Sequence, residues 1–304
     1  MSVVICAYDT RRWQALLAAV TSVQRQTLRA LETILVIDHN PGLLERARGT
    51  FHSHVNVVAS RGEPGLSGAR NTGVRIAGGE IVAFLDDDAV AERTWLNELT
   101  SAYVDGEILG TGGQVTPSWP AGGPPRWLPR EFDWTVGCSY RGLPTAAGPV
   151  RNPIGANMSF RRDVLEGAGG FTDGIGRIGH RPLGCEETEL SIRARQAHRR
   201  GAIMHVPAAR VRHTVSPDRL GWRYFRARCF AEGLSKARVS AEVGADGALS
   251  SERTYTLRVL PRGVLRGLRD AATGKPSGLL RSGAIVAGLL ITSAGYLRGR
   301  LAAR

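Results

Sequence analysis

Three adjacent acids, Asp86-Asp87-Asp88, directly follow the apolar run Ile81-Val82-Ala83-Phe84-Leu85. Five apolar residues ending in carboxylates read as a buried parallel strand that presents acids at its C-terminal edge, where open α/β sheets bind ligands. Neighbouring carboxylates repel one another, so the site calls for a counter-charge, most simply Mg²⁺ or Mn²⁺. Such an ion would hold the phosphates of a nucleotide. A solvated acidic turn is the alternative reading. Two more strand-like runs end in polar residues: Ala7-Tyr8-Asp9 after Val3–Cys6, and Asp38 after Thr33–Ile37. Parallel strands would bring these ends to one sheet edge. A carboxylate there can accept the imide N–H of uracil or thymine, and Tyr8 can stack on the base. A helix or turn cap is the alternative reading of Asp38.

Three further groups carry chemistry. Gly65-Leu66-Ser67-Gly68-Ala69-Arg70 is a glycine-rich turn opening a helix. Ser67 is a candidate cap, and Arg70 would stand near the helix start, where phosphate oxygens find cations and N–H donors. Glu186-Glu187-Thr188-Glu189 opens a helix rich in arginine. Its acids complement the helix dipole, or one of them serves as general base toward an acceptor hydroxyl attacking a sugar C1. His213, in Val211-Arg212-His213-Thr214, is a candidate metal ligand or a structural histidine.

The elements that must position these groups are legible in outline. Residues 1–115 alternate strand and helix patterns, with strands near 3–7, 33–37, 55–59 and 81–85 and helices near 13–23, 43–50 and 67–78. This βαβ rhythm predicts an α/β fold, a Rossmann-like, mostly parallel sheet with helices on both faces. Residues 117–153 are dense in proline and glycine, with Trp119, Trp127 and Trp134 interleaved. That stretch reads as a substrate-facing excursion or as surface packing. Strand patterns return at 156–161 and 202–206, with a helix over 186–199 between them.

Composition narrows the classes. The 304 residues carry 40 Lys and Arg against 27 Asp and Glu, a net charge of +13. That balance suits nucleic acid, an anionic membrane or a phosphorylated substrate. No nucleic-acid-binding motif is present, so nucleic acid is not expected as a partner. Lysine occurs only at Lys236 and Lys275, so part of the arginine excess is compositional. The four cysteines, Cys6, Cys138, Cys185 and Cys229, lack metal-ligand spacing and suit a reducing compartment. Met1 leads straight into an apolar strand, so the catalytic part is expected in the cytoplasm.

Taken in order, "VVICAYD", "ILVIDHN", "GLSGARNTG", "GEIVAFLDDDA", "GANMSFRRDVL" with "GGF", "EETEL" and "RH" resemble the family 2 inverting glycosyltransferases of GT-A fold, across about residues 2–215. The resemblance implies a metal-dependent enzyme using a nucleotide-sugar donor, UDP-sugar first. It implies a GT-A domain over 1–215, with a nucleotide-binding half (1–115) and an acceptor-binding half (116–215). Ala7, Tyr8, Asp9, Asp38, Arg70, Asp86, Asp87 and Asn157 would bind the nucleotide sugar. Asp88 and His213 would hold Mg²⁺ or Mn²⁺, and Glu187 with Glu186 would form the catalytic acid pair. Where the family often has Glu-Asp, this chain has Glu186-Glu187, which leaves both as candidates for the base. The acceptor would be a glycan or lipid-linked intermediate of cell-surface polysaccharide. Direct transfer to polyprenyl phosphate, or an inactive nucleotide-sugar-binding module, are the alternatives.

The region 216–304 reads as helical and basic. Leu257, Leu260, Val264, Leu268 and Ala271 share one helical face, and Arg258, Arg262, Arg266 and Arg269 the other. Such a helix lies on an anionic membrane or packs on its own domain. Residues 282–297 are uncharged but short for a span at about 1.5 Å per residue. They read as a buried or interfacial hairpin, and the protein is expected at the inner face of the cell membrane.

Overall fold

Each apolar run that ends in a candidate site residue forms a strand. The computed structural model describes residues 1–51, 54–177, 179, 182–244 and 250–302. The chain divides into two units. The first comprises Met1–Thr116, Pro144–Arg181 and Glu186–His213; the second comprises Pro117–Leu143, Pro182–Cys185 and Thr214–Arg304.

Among the described residues, the strands are β1 (Ser2–Ala7), β2 (Glu32–Ile37), β3 (Asn56–Ala59), β4 (Ile81–Asp86), β5 (Ala89–Ala91), β6 (Ile108–Ser118), β7 (Gly148–Val150), β8 (Asn157–Arg161) and β9 (Ala202–Thr214). They form one sheet in the order β3-β2-β1-β4-β8-β6-β9-β5, with β7 on β9. The sheet is parallel where β1 meets β2 and β4 and where β2 meets β3. Beyond β4 it turns antiparallel: β8 runs against both β4 and β6, and β9 against β5 and β7. The expected α/β sheet is therefore mixed in direction. An apolar run announces a strand but not its direction, and β8 reaches the sheet centre from a long excursion rather than a helical crossover.

The first unit's helices are α1 (Trp13–Gln24), α2 (Pro41–Thr50), α3 (Leu66–Ile76), α4 (Trp95–Ser101), α5 (Arg162–Gly167) and α6 (Glu186–Ala197). Both faces of the central strands are buried. Val4, Ile34 and Val36 join a core with Ala69 and Val74 of α3, while Val3, Ile5, Leu35 and Ile37 on the opposite face are equally enclosed. A Cβ on Gly73 would lie 2.5 Å from the Val4 side chain, so glycine lets α3 lie directly on β1. Asn40 caps α2 by accepting the Leu43 N–H, with Pro41 in the first turn.

The second unit is helical: α7 (Trp222–Val243), α8 (Leu260–Ala272) and α9 (Ser277–Ala302). Leu128 and Phe132 from the 117–143 segment pack with Phe225, Cys229, Leu260 and Ile285, and Trp119, Trp127 and Trp134 lie against that cluster. Of the two readings of this segment, packing holds for its tryptophans: they complete a core. Residues 282–297 form no hairpin; they belong to the single 26-residue helix α9. A Cβ on Gly233 of α7 would overlap the Thr292 carbonyl, and one on Gly295 the Phe230 carbonyl, so glycines bring the two helices into backbone contact. A π-helical turn at Tyr255–Val259 precedes α8. It breaks the register that would have placed Leu257 with Leu260, and Leu257 is 75% exposed while Leu260 is buried.

Asp133 carries a testable consequence. Burial, then the charge of neighbouring Glu131 against that of Arg130, pushes its carboxyl up to about 7. The folded chain therefore binds this proton more tightly than the unfolded chain does. Its stabilising effect is complete below about pH 4 and is lost as pH rises through about 7. Asp133→Asn is expected to stabilise the protein by roughly 1–3 kcal/mol at pH 8 and to leave it unchanged near pH 4. Thermal denaturation at the two pH values checks this; equal shifts at both would contradict it.

Candidate active site

The parallel strands deliver their C-terminal ends to one edge. Ala7 pairs with Ile37, and Cys6 with Asp86, so Tyr8, Asp38 and Asp86 emerge side by side. After Asp86 the chain turns through Asp87 and Asp88 into β5, whose Ala89 pairs with His213 of β9. That pairing sets His213 Nε2 3.0 Å from Asp88 Oδ1. Sequence reading ended the last strand at 206, yet it continues to Thr214, with Ala209, Val211 and His213 inward and Arg210 and Arg212 outward. The period-two alternation was the available signal; Pro207 and the arginines masked it.

Asp86, Asp88 and His213 each offer a ligand atom, all within 4.8 Å of one another. Two carboxylate oxygens and one imidazole nitrogen, with Asp88 and His213 buried, fit Mg²⁺ or Mn²⁺. Asp87 turns elsewhere. Arg12 Nη1 donates to Asp87 Oδ1 at 2.9 Å and lies 3.0 Å from Asp88 Oδ2. Burial, then the Asp88 charge, pushes Asp87 up to about 7, with Arg12 opposing both. Burial disfavours charge on Arg12 too, but Asp87 and Asp88 outweigh it and keep the guanidinium protonated. Arg12 was missed in the sequence, although the basic pair Arg11-Arg12, one residue after Tyr8-Asp9, marked a cation at this strand end.

Arg70 lies beneath the site, 2% exposed. Its Nη1 donates to Glu186 Oε1 at 2.7 Å, and its Nη2 to the Gly155 carbonyl at 3.1 Å and to Asp86 Oδ1 at 3.4 Å. The rings of Phe84 and Phe171 flank it. One buried guanidinium thus ties the acidic strand end to the first residue of α6. The three acids of that first turn divide accordingly. Glu186 is held by Arg70, and Glu189 is held by Arg193 Nη2 at 2.7 Å. Glu187 stays half-buried and accepts from the Thr188 hydroxyl at 3.3 Å.

Other predicted residues are placed differently. Asp38 is half-buried at the β2 end; its Oδ2 accepts the Gly65 N–H at 2.9 Å and its Oδ1 pairs with His39 Nδ1. Asp9 caps a short 3₁₀ turn and binds Arg11 through both oxygens, so local structure occupies it. Asn157 is fully buried: it accepts from Trp95 Nε1 and donates to the Gln114 and Ala209 carbonyls, which uses its amide to join β6, β8 and β9 rather than to line a sugar site. Ser67 does not cap α3; Gly65 stands at that position, and Ser67 donates to the Ile175 carbonyl.

The sequence model described as Glycosyl transferase family 2 matches residues 2–169. The chain belongs to glycosyl transferase family 2. It is a glycosyltransferase of GT-A fold with an Asp-x-Asp site at Asp86-Asp87-Asp88. Glucosyl-dolichyl phosphate glucuronosyltransferase of Haloferax volcanii is 34% identical over 240 residues, covering 78% of this chain and 76% of that protein. Among solved structures, a mannosyltransferase from Pyrobaculum calidifontis in complex with GDP-Man and Mn²⁺ aligns with TM-score 0.59 at 16% identity, over 96% of this chain and 86% of its own. GalNAc-T7 with UDP, GalNAc and Mn²⁺ aligns with TM-score 0.55 at 16% identity, over 90% of this chain; the chain spans 57% of that structure.

Proposed function

We propose that this family 2 glycosyltransferase moves a sugar from a nucleotide donor, UDP-sugar first, to a hydroxyl of a lipid-linked or glycan acceptor, inverting the anomeric centre. The observation that carries the reading is the division of labour around the acidic turn: Asp86, Asp88 and His213 converge, and Arg70 ties Glu186 to the same turn while Glu187 keeps solvent access. Asp86, Asp88 and His213 would hold Mg²⁺ or Mn²⁺, whose chemistry is to neutralise charge on a diphosphate leaving group. Tyr8 stacks on the nucleobase, and Asp38, with lone pairs to spare beyond Gly65 and His39, accepts its imide N–H. Arg12 steadies Asp87 and Asp88. Glu187 takes the acceptor hydroxyl proton as the acceptor oxygen bonds to C1 from the face opposite the diphosphate; the C1–O bond breaks and its electron pair leaves with the diphosphate. One displacement inverts C1, as in one-base sugar hydrolysis with an alcohol in place of water.

The Haloferax volcanii relative is named for glucuronosyl transfer and for glucosyl-dolichyl phosphate, which supports a lipid-linked sugar acceptor over bare polyprenyl phosphate. Its product would enter cell-surface polysaccharide assembly, with the enzyme at the inner face of the membrane. Calorimetry with UDP, GDP and dTDP, with and without Mn²⁺, tests the donor site. UDP is expected to bind only with Mn²⁺, and Asp88→Ala to weaken it at least about tenfold. Failure of every nucleoside diphosphate to bind with metal would overturn the reading, whereas metal-dependent binding without turnover on any acceptor would favour an inactive nucleotide-sugar-binding module.

A further inference from the structure

The second unit exposes leucines that no packing among the described residues explains. On α9, Leu279, Val286, Leu290, Leu297 and Leu301 are all exposed, with Leu290 at 64% and Leu297 at 63%. Their spacing of seven, four, seven and four residues places them on one line along the helix. The stripe is about 33 Å long at 1.5 Å per residue. The opposite side of α9 is taken up by α7 and α8, through Gly288, Gly295, Ile285 and Ser282.

The segment that carries the stripe is nearly one-signed, and an acid packed on it from the 117–143 segment, Glu131, lies 3.6 Å from Arg266. From 257 to 302 the chain carries the basic residues Arg258, Arg262, Arg266, Arg269, Lys275, Arg281, Arg298 and Arg300, and one acid, Asp270. Asp270 is already paired with Arg281 at 2.6 Å. Arg258, Arg262, Arg269, Lys275, Arg298 and Arg300 are exposed, as is Leu265 among the α8 arginines. A face that combines apolar side chains with cations matches a surface that is apolar inside and anionic outside. A second copy of the chain matches it less well, because it would bring the same cations together.

We propose that the leucine stripe of α9 and the arginines of α8 form an in-plane docking face for an anionic lipid bilayer, with α9 lying in the headgroup boundary rather than crossing the membrane. By length and composition alone α9 could span. Its partner prevents that: α9 lies along α7, which carries Arg223, Arg226, Arg228, Glu232, Lys236, Arg238 and Glu242. Carrying those charges into hydrocarbon is far less favourable than leaving α7 in water with the stripe alone in lipid. The inference deepens the membrane placement under the proposed function and does not depend on the transferase chemistry.

The 304-residue chain is mixed, with no donor present, with vesicles of phosphatidylcholine alone or with roughly 30% phosphatidylglycerol, and floated on a density gradient. Wild type is expected to float with the anionic vesicles and to be released by high salt. Leu290→Glu with Leu297→Glu is expected to lower partitioning about a hundredfold, roughly tenfold per leucine, while the exposed positions keep the melting temperature unchanged. Arg258→Gln, Arg262→Gln and Arg269→Gln together are expected to abolish the preference for anionic vesicles. Wild type that stays unbound would overturn the proposal, as would dimerisation through this face in place of flotation. Resistance of bound protein to both salt and alkaline carbonate would also overturn it, since that marks a spanning helix. Retained nucleotide binding in any of these cases would leave the transferase reading standing.

Discussion

Glu187→Gln is expected to lower kcat by about 10²–10⁴-fold while leaving Mn²⁺-dependent donor affinity within about threefold. The exchange keeps the shape and the hydrogen bond from Thr188 but removes the group that takes the proton. The companion change separates the two glutamates. Glu186→Gln leaves Arg70 facing an amide in place of a carboxylate at 2.7 Å, so it is expected to alter stability and donor affinity as well as kcat. Steady-state kinetics with a radiolabelled donor, alongside calorimetry, reads both variants. Full activity of Glu187→Gln on a hydroxyl acceptor would remove Glu187 as base. Full activity on a phosphate acceptor alone would favour polyprenyl phosphate, which is already ionised and needs no base.

The second large effect concerns Arg70. Arg70→Met is expected to destabilise the first unit by about 3–5 kcal/mol, because it strands Glu186 in the interior with Asp86 beside it. Burial disfavours the charged form of Arg70, and the charges of Glu186 and then Asp86 more than offset it, so its guanidinium holds the proton more tightly than usual. Lysine is not a substitute: one ammonium cannot reproduce the fork that reaches Glu186, the Gly155 carbonyl and Asp86 at once. Adding Glu186→Gln to Arg70→Met is expected to restore about 1–2 kcal/mol, since the buried group is then neutral. Chemical denaturation of the four proteins of this cycle gives the coupling. A single variant within about 0.5 kcal/mol of wild type would mean that Glu186 finds another counter-charge.

These expectations depend on how the sequence maps onto space. The acidic turn was legible because an apolar run followed by charges is a local pattern. So were the acids in the first turn of α6 and the cationic face of the C-terminal region. Arg12 was not, since its meaning depends on a partner 75 residues away. The role of Asn157 was misleading for a related reason: a polar residue in a strand can face a ligand or a neighbouring backbone, and the register of β6, β8 and β9 decides which. The second unit shows the same limit. Leu257 fits a helical face on paper, but a single π turn rotates it into solvent.

By itself the sequence determined the strand ends that bear acids, the cationic character of residues 257–302 and the membership that its ordered motifs imply. Those properties rest on residue type and on spacing within a few turns or one strand, where backbone periodicity converts sequence distance into direction. Only the tertiary structure decided which carboxylates face one another. The antiparallel pairing of β5 with β9 carries His213 to Asp88, and a buried arginine from α3 holds Glu186 in the interior while Glu187 stays half-buried. Burial and pairing between distant segments set these charges, because a carboxylate's chemistry depends on its desolvation and its nearest cation rather than on its neighbours in the chain.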